Sequence, residues 1–233
     1  MIIVIATENG GIEKSILANN MATLRALDGG KVLLIDGDQQ RNSFAWGRAR
    51  YEAGVKPTVT TLAISAKGLQ PELENLTPHY SDIVIDAEGR DCMGSRSALI
   101  TARTALIPIR PDLMDQACED KLIARISTVR LFNPCLRVLF VITCIGNDPT
   151  LQELVNVRSL VAKIPAATLA STVIHDQIVL RSAHSKGLSI SEYKPADQCA
   201  VTEMRNLYSE VFGLENATHR FTSERFNLAS SAA

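Results

Sequence analysis

Short apolar runs rich in β-branched residues recur along the chain, and stretches of helical period separate them. Ile2–Ala6, Val32–Asp36, Val59–Ile64, Ile83–Asp86, Ala105–Ile109 and Val138–Thr143 read as strands, with a last one near Thr168–Ile174. Most are apolar at odd and even positions alike, the pattern of a strand buried on both faces of a parallel sheet. Lys14–Leu27, Arg41–Ala53, Cys92–Ala102, Leu113–Leu131 and Leu151–Ala162 read as helices, followed by two more over Asp176–Ser185 and Ala196–Phe212. In the first, Leu17, Met21, Leu24 and Leu27 form an apolar stripe, and Asp28-Gly29-Gly30 ends the helix where glycine accepts a positive φ. This alternation specifies a doubly wound α/β fold: a mostly parallel sheet flanked by helices, with right-handed crossovers. No Pro- or Gly-rich linker interrupts residues 1–213, which are expected to form one domain. Residues 214–233 are polar, without a sustained apolar face, and are expected to be a flexible tail.

Composition narrows what such a domain can do. A chain of 233 residues with 46% apolar and 21% charged residues can bury a sizeable core. Its 24 Lys and Arg against 25 Asp and Glu exclude a uniformly basic nucleic-acid binder, though not DNA contact through a local patch. Aromatics, at 5%, are too few for a single-strand-binding surface of stacked rings. Cys92, Cys118, Cys135, Cys144 and Cys199 include no C-x-x-C pair, and His79, His175, His184 and His219 are equally scattered. Neither a zinc framework nor a disulfide scaffold is legible, so free thiols in a reducing cytosol are expected. The opening MIIVIA has no basic n-region or cleavage site, and no apolar stretch approaches the ~20 residues that cross a bilayer. A soluble cytoplasmic protein is expected.

The first strand runs into Thr7-Glu8-Asn9-Gly10-Gly11-Ile12-Glu13-Lys14-Ser15 and then a helix. Strand, glycine loop, Lys-Ser and helix N-terminus is an arrangement that cradles nucleotide phosphates. Backbone N–H groups and the helix dipole face the anion, Lys neutralises it and the Ser hydroxyl serves magnesium. The loop departs from the strict G-x-x-x-x-G-K-[ST] pattern, because Glu8 and Glu13 occupy both glycine positions. Asp36 and Asp38 end the second strand and Asp86 a later one, where an open parallel sheet binds its ligands. Acidic residues beside a phosphate loop suit a hydrated magnesium and an attacking water. No G-x-G-x-x-G opens the first helix and no G-x-S-x-G appears, so neither a dinucleotide dehydrogenase nor a serine hydrolase is indicated. The histidines lie away from the strand-end carboxylates in sequence.

In these motifs the chain resembles the ParA/MinD superfamily of deviant-Walker ATPases, most of all the small ParA-type plasmid partition proteins. The family loop K-G-G-x-G-K-[ST]-T is matched by Asn9 to Ile16, and the family's D-x-D-P-Q by Asp36-Gly37-Asp38-Gln39-Gln40. The Walker B strand is matched by Ile83 to Gly89, and I-P-x-x-P-S-x-x-D by Ile107 to Asp115. GLSISEY and the helix after it, Gly187 to Phe212, resemble the family's C-terminal ending. The likeness spans about residues 1 to 213, in order. It implies a P-loop fold that binds ATP or ADP with Mg2+. Gly10, Gly11, Ile12, Lys14 and Ser15 would hold the phosphates, and Pro111 and Asp115 would lie beside the base. Ser15, Asp36 and Asp86 would serve the metal, and Lys14 and Asp38 would be catalytic. It further implies a homodimer, non-specific DNA binding, nucleoid association and a ParB-like centromere-binding adaptor, in the service of plasmid or other cargo. Arg181 and Lys186 are the DNA candidates, with Arg158 and Lys163 upstream.

The departures fall where chemistry should happen. Asn9 stands where relatives carry the signature Lys, which reaches the partner subunit's nucleotide, and Asn supplies no charge. Glu13 replaces a glycine; a carboxylate ~5 Å from a phosphate charge costs ~3 kcal/mol at an effective dielectric near 20, about a hundredfold in affinity. A helix N-terminus attracts carboxylates, so Glu13 is expected either to swing outward or to act as an internal anion. Ile16 replaces a Thr, Gln39 a Pro, and Gln177 sits where many relatives carry Arg. Weak ATP binding and turnover are therefore expected. The alternative is a catalytically impaired pseudo-ATPase acting as a dimerisation or regulatory module. A MinD-like membrane-surface switch is disfavoured, since Asn216 to Ala233 lacks an apolar stripe and a Lys/Arg face.

Overall fold

A computed structural model of the chain describes residues 1–7, 12–65, 68–144, 148–175 and 177–213. Asn9, Gly10 and Gly11, the Ile12 side chain and the tail 214–233 lie outside the described residues. The strands are β1 (Ile2–Ile5), β2 (Val32–Asp36), β3 (Thr60–Ala63), β4 (Asp82–Asp86), β5 (Thr104–Ile109), β6 (Arg137–Cys144) and β7 (Ala167–His175). The helices are α1 (Ile12–Leu27), α2 (Asn42–Glu52), α3 (Leu69–Leu76), α4 (Met93–Thr101), α5 (Gln116–Phe132), α6 (Leu151–Ala162) and α7 (Ile178–Ser185). A further helix, α8, covers 198–213.

The strands form one seven-stranded sheet in the order β3-β2-β4-β1-β5-β6-β7, and every pairing is parallel. The apolar parity of each strand sorts it between two cores. Ile3 and Ile5, Leu34, Val84, Leu106, and Leu139 and Val141 face α1, α2, α7 and α8. Val4, Leu33 and Ile35, Ile83 and Ile85, Ala105 and Ile107, and Val138 and Phe140 face α3, α4, α5 and α6. Each fully buried Leu or Ile contributes about 1.5–3 kcal/mol, so doubly covered strands dominate the stability. The connection after β1 runs to one side, toward β2, and the one after β4 crosses β1 to reach β5 on the other, so the crevice over the carboxyl end of β1 is the binding position of such sheets.

Two helices differ from the sequence expectation. Helix α3 was not anticipated; Leu69 and Leu73 are buried in the second core and Leu76 packs against it, an i, i+4, i+7 stripe only two turns long. Helix α5 was expected from Leu113 but begins at Gln116. Pro111–Leu113 form a single 3-10 turn, and the Asp115 carboxylate then caps the helix, accepting from the Cys118 N–H at 2.8 Å. The end of α1 is as expected: Gly29 has φ 85°, and its N–H and that of Gly30 bond to the Ala26 and Arg25 carbonyls. Among the described residues no helix is long and apolar enough to cross a membrane.

Candidate functional site

Parallel pairing aligns three strand ends. Asp86, the last residue of β4, is opposite both Ile5 of β1 and Asp36 of β2. The first turn of α1 sits over those ends and carries Lys14 and Ser15. The Lys14 ammonium lies 2.5 Å from Asp86 Oδ1 and 3.2 Å from Asp38 Oδ2. Ser15 Oγ donates to Asp86 Oδ2 at 2.6 Å. Lys14 is only 1% exposed and Asp86 fully buried. Burial works against the ammonium, but Asp86 and Asp38 outweigh it and hold the Lys14 pKa above its ordinary value. Asp38 is pushed up by burial, yet the Gln40 N–H and Lys14 outweigh that and keep its carboxyl below the usual range. Both groups are charged at neutral pH.

Asp36 has a different task. Its Oδ1 accepts from the Asp38 N–H at 2.9 Å and its Oδ2 from the Phe44 N–H at 2.7 Å, which fixes the loop after β2 to the start of α2. Burial, reinforced by the neighbouring Asp86 charge, raises its pKa. Arg41, just before α2, adopts φ 57° and donates from Nη1 to the Asp36 carbonyl at 2.7 Å. A non-glycine residue held in the left-handed region costs about 1–3 kcal/mol, which the Arg41 bond to the Asp36 carbonyl helps to offset. Of the three expected metal-serving groups, Ser15 and Asp86 are therefore in contact, while both Asp36 oxygens are engaged by backbone N–H groups. Among the described residues no group of three or more His, Cys, Asp or Glu is arranged to hold a metal ion.

Three residues join the site that sequence reasoning did not include. Ser43 Oγ lies 2.7 Å from Asp86 Oδ2 and 2.8 Å from Asn19 Oδ1, and Asn19 Nδ2 lies 3.0 Å from His184 Nδ1. A chain of side-chain hydrogen bonds thus runs from the β4 carboxylate to α7. His184 is remote from the strand-end carboxylates in sequence, yet only two side chains, Asn19 and Ser43, separate it from Asp86 in space. Its pKa is lowered by burial, with Asp86 opposing. A lone Ser, Asn and His on three different helices carries no sequence signal.

The remaining candidates fall into place around this centre. Glu13 is about a quarter exposed, with its Oε1 3.8 Å from Arg110 Nη1 at the end of β5, so it turns toward that strand end. Arg110 also pairs with Asp112 at 2.6 Å, and Pro111 and Asp115 follow on the same edge. Ile16 is buried in the core that α7 and α8 cover. Gln39 is exposed, and Gln177 precedes α7 without a side-chain capping bond. Arg181 and Lys186 are exposed on and just after α7, Lys186 with its Nζ 5.0 Å from the Tyr193 ring centroid. Arg158 lies on α6 and Lys163 just after it, on the opposite face of the sheet, so the structure splits the four basic candidates into two pairs.

No family model matches the chain, and no curated protein matches it in sequence. Solved structures do match. The septum site-determining protein MinD of Pyrococcus horikoshii, complexed with Mg-ADP, is 19% identical with TM-score 0.68, over 92% of this chain and 96% of that one. A variant of Cyanothece McdA complexed with ATP is 16% identical with TM-score 0.69, over 91% and 96%. A putative plasmid partition protein of Borrelia burgdorferi bound to AMPPNP is 19% identical with TM-score 0.67, over 92% and 98%. At these identities the likeness is one of fold, and the fold is that of the ParA/MinD P-loop ATPases.

Proposed function

We propose that this chain, which has the fold of the ParA/MinD ATPases, is a partition-type nucleotide switch or a weakened descendant of one. It would bind Mg-ATP, dimerise, bind DNA non-specifically and move a plasmid or other cargo with a ParB-like adaptor. The observation that carries the reading is the convergence of Lys14, Ser15, Asp38 and Asp86 at the carboxyl ends of β1, β2 and β4. One buried ammonium among hard-oxygen donors suits a phosphate–magnesium group, so the donor set fits in its chemistry. When bound, Mg-ATP would supply the phosphoryl group to be hydrolysed. Lys14 would then offer its charge to phosphate, and Ser15 and Asp86 would serve magnesium, while Asp36 holds the loop after β2 to α2. Asp38, held ionised, would orient a water by accepting its proton in a hydrogen bond. Pro111 and Asp115 would border the base.

A second reading, a non-catalytic dimerisation or regulatory module, is favoured by Glu13. Its carboxylate is held at the first turn of α1, where a phosphate would bring further negative charge. Titration calorimetry with Mg-ATP, and ATPase rates with and without DNA, separate the two. Binding by the wild type is expected to be about a hundredfold weaker than by Glu13→Gly/Asn9→Lys. A low-micromolar dissociation constant for the wild type contradicts the weakening. A revertant that binds no nucleotide overturns the ATPase reading, and intact dimerisation without turnover selects the module.

A further inference from the structure

We propose that His184 is a positioning residue for Asp86: its Nδ1 sets which way the Asn19 amide faces, and the amide sets whether Ser43 commits its proton to Asp86. With Asp86 taken as the magnesium-serving carboxylate proposed above, His184 regulates that site from a different helix. Four side chains from four elements form the line: Asp86 at the end of β4, Ser43 on α2, Asn19 on α1 and His184 on α7. Ser43 Oγ lies 2.7 Å from Asp86 Oδ2 and 2.8 Å from Asn19 Oδ1, and Asn19 Nδ2 lies 3.0 Å from His184 Nδ1. Asn19, Ser43 and Asp86 are buried, so none of them can exchange its partner for bulk water. His184 alone is partly exposed, and its Nε2 has no hydrogen-bond partner among the described residues.

A neutral imidazole that accepts at Nδ1 carries its proton on Nε2, and the Asn19 amide then turns its nitrogen to His184 and its oxygen to Ser43. Ser43 stands between two acceptors with one proton, so Asp86 Oδ2 shares that proton with Asn19 Oδ1. An imidazolium donates from both nitrogens, and Nδ1 no longer accepts. A half-turn of the Asn19 amide restores the bond, offering Oδ1 to His184 and Nδ2 to Ser43. Ser43 Oγ then accepts from Asn19, and its own proton is left to Asp86 Oδ2. Ser15 Oγ already donates to that oxygen at 2.6 Å, so two hydroxyls hold it and it is less open to magnesium. The added positive charge acts in the same direction. On the helices packed against α7, Lys14 of α1 is paired with Asp86 and Asp38, Glu13 of α1 turns toward Arg110, and Arg50 of α2 is paired with Glu192. Arg181 and Lys186, on and just after α7, are exposed. Burial disfavours a charge on His184 more strongly than Asp86 favours it. The shared arrangement therefore prevails at neutral pH, and a proton on His184 ends it.

Nuclear magnetic resonance of the full chain without nucleotide tests the relay, so its failure is distinct from a failure of the ATPase reading. The His184 ring nitrogens and the Asp86 carboxyl carbon are followed from about pH 8 to about pH 5. In the wild type the neutral imidazole is expected to carry its proton on Nε2, and the Asp86 signal to move with the His184 midpoint. That movement is expected to disappear in Ser43→Ala and to return in Ser43→Thr, which keeps a hydroxyl, with folding of both verified by thermal unfolding. An Asp86 signal indifferent to His184 overturns the proposal. So does one that follows His184 equally in Ser43→Ala, which is a field effect without the relay. Calorimetry with Mg-ADP reads the consequence for the site. Over the same pH range, wild-type affinity is expected to fall about fivefold more than that of His184→Gln, with titration of the nucleotide cancelling between the two. Equal falls overturn the regulation of the site. Binding by neither protein, with the Asp86 response intact, overturns the nucleotide reading and leaves the relay standing.

Discussion

Ser43 has one hydroxyl proton and two acceptors within reach, Asp86 Oδ2 and Asn19 Oδ1. It can satisfy either at a time, so it links the β4 carboxylate to the side chains behind it. Ser43→Ala is expected to lower stability by about 1–3 kcal/mol in urea unfolding, since its one buried hydrogen bond is lost, while Asp86 Oδ2 keeps the Ser15 donor. At the far end, His184 accepts from the Asn19 amide and resists protonation when folded. Its folded pKa is lowered, so the unfolded chain binds a proton first as pH falls below ~6.5, and stability drops there. His175 has the opposite sign. Burial opposes its charge, but Glu203 and Asp148 outweigh burial and raise its pKa, so its contribution is present below ~6.5 and fades as pH rises through the folded value. The wild type should therefore lose more stability from about pH 7.5 to 5.5 than His184→Gln does; equal losses contradict the assignment. Lys14, Ser15 and Asp86 were readable because motif spacing announces them. Ser43, Asn19 and His184 were not, because their link to Asp86 exists only through space.

Helix α2 and the segment before α8 meet at one joint. Arg50 is buried, pairs with Glu192 at 2.8 and 2.7 Å, and donates to the Pro57 and Gly187 carbonyls. Removing one partner of such a pair leaves a poorly solvated charge, so Arg50→Met should cost about 3 kcal/mol by denaturant titration. Gly187 adopts φ +71°, and a Cβ there would stand 2.3 Å from the Arg50 backbone nitrogen. Gly187→Ala should destabilise by more than about 1 kcal/mol in the same experiment, with both backbone strain and overlap acting. Element type was largely legible: all seven expected strands are present, and seven helical stretches were foreseen. The missed α3 has a stripe of three leucines in a stretch with Pro71 inside and Pro78 after it, too short for periodicity to separate from a loop. The late start of α5 reflects a rule that a single residue enforces. Asp115 caps, so the helix begins after it.

For the molecule as a whole, a net charge of -1 confines any DNA contact to a patch. The four basic candidates form two pairs: Arg181 and Lys186 on one face, and Arg158 and Lys163 across the sheet, with Lys163 paired to Glu119 at 3.0 Å. If α7 contacts DNA, Arg181→Ala/Lys186→Ala should weaken retardation of random duplex DNA and flatten the log–log salt dependence by about two. Retardation unchanged by the double substitution removes α7 from the interface.

The sequence by itself determined the architecture and the place of Lys14 and Ser15 in it. Apolar parity demands a sheet covered on both faces, and a Lys-Ser pair opening a helix after a strand demands a place at that strand's carboxyl end. Only the tertiary structure decided the strand order, which sets Asp36 against Asp86, and the partners of each charge. It also gave Asp36 to the backbone of α2 and brought Ser43, Asn19 and His184 to Asp86. The physical reason is one of range. Periodicity and capping act within a few residues, whereas hydrogen bonds and ion pairs act over ångströms, and folding makes neighbours of residues far apart in the chain.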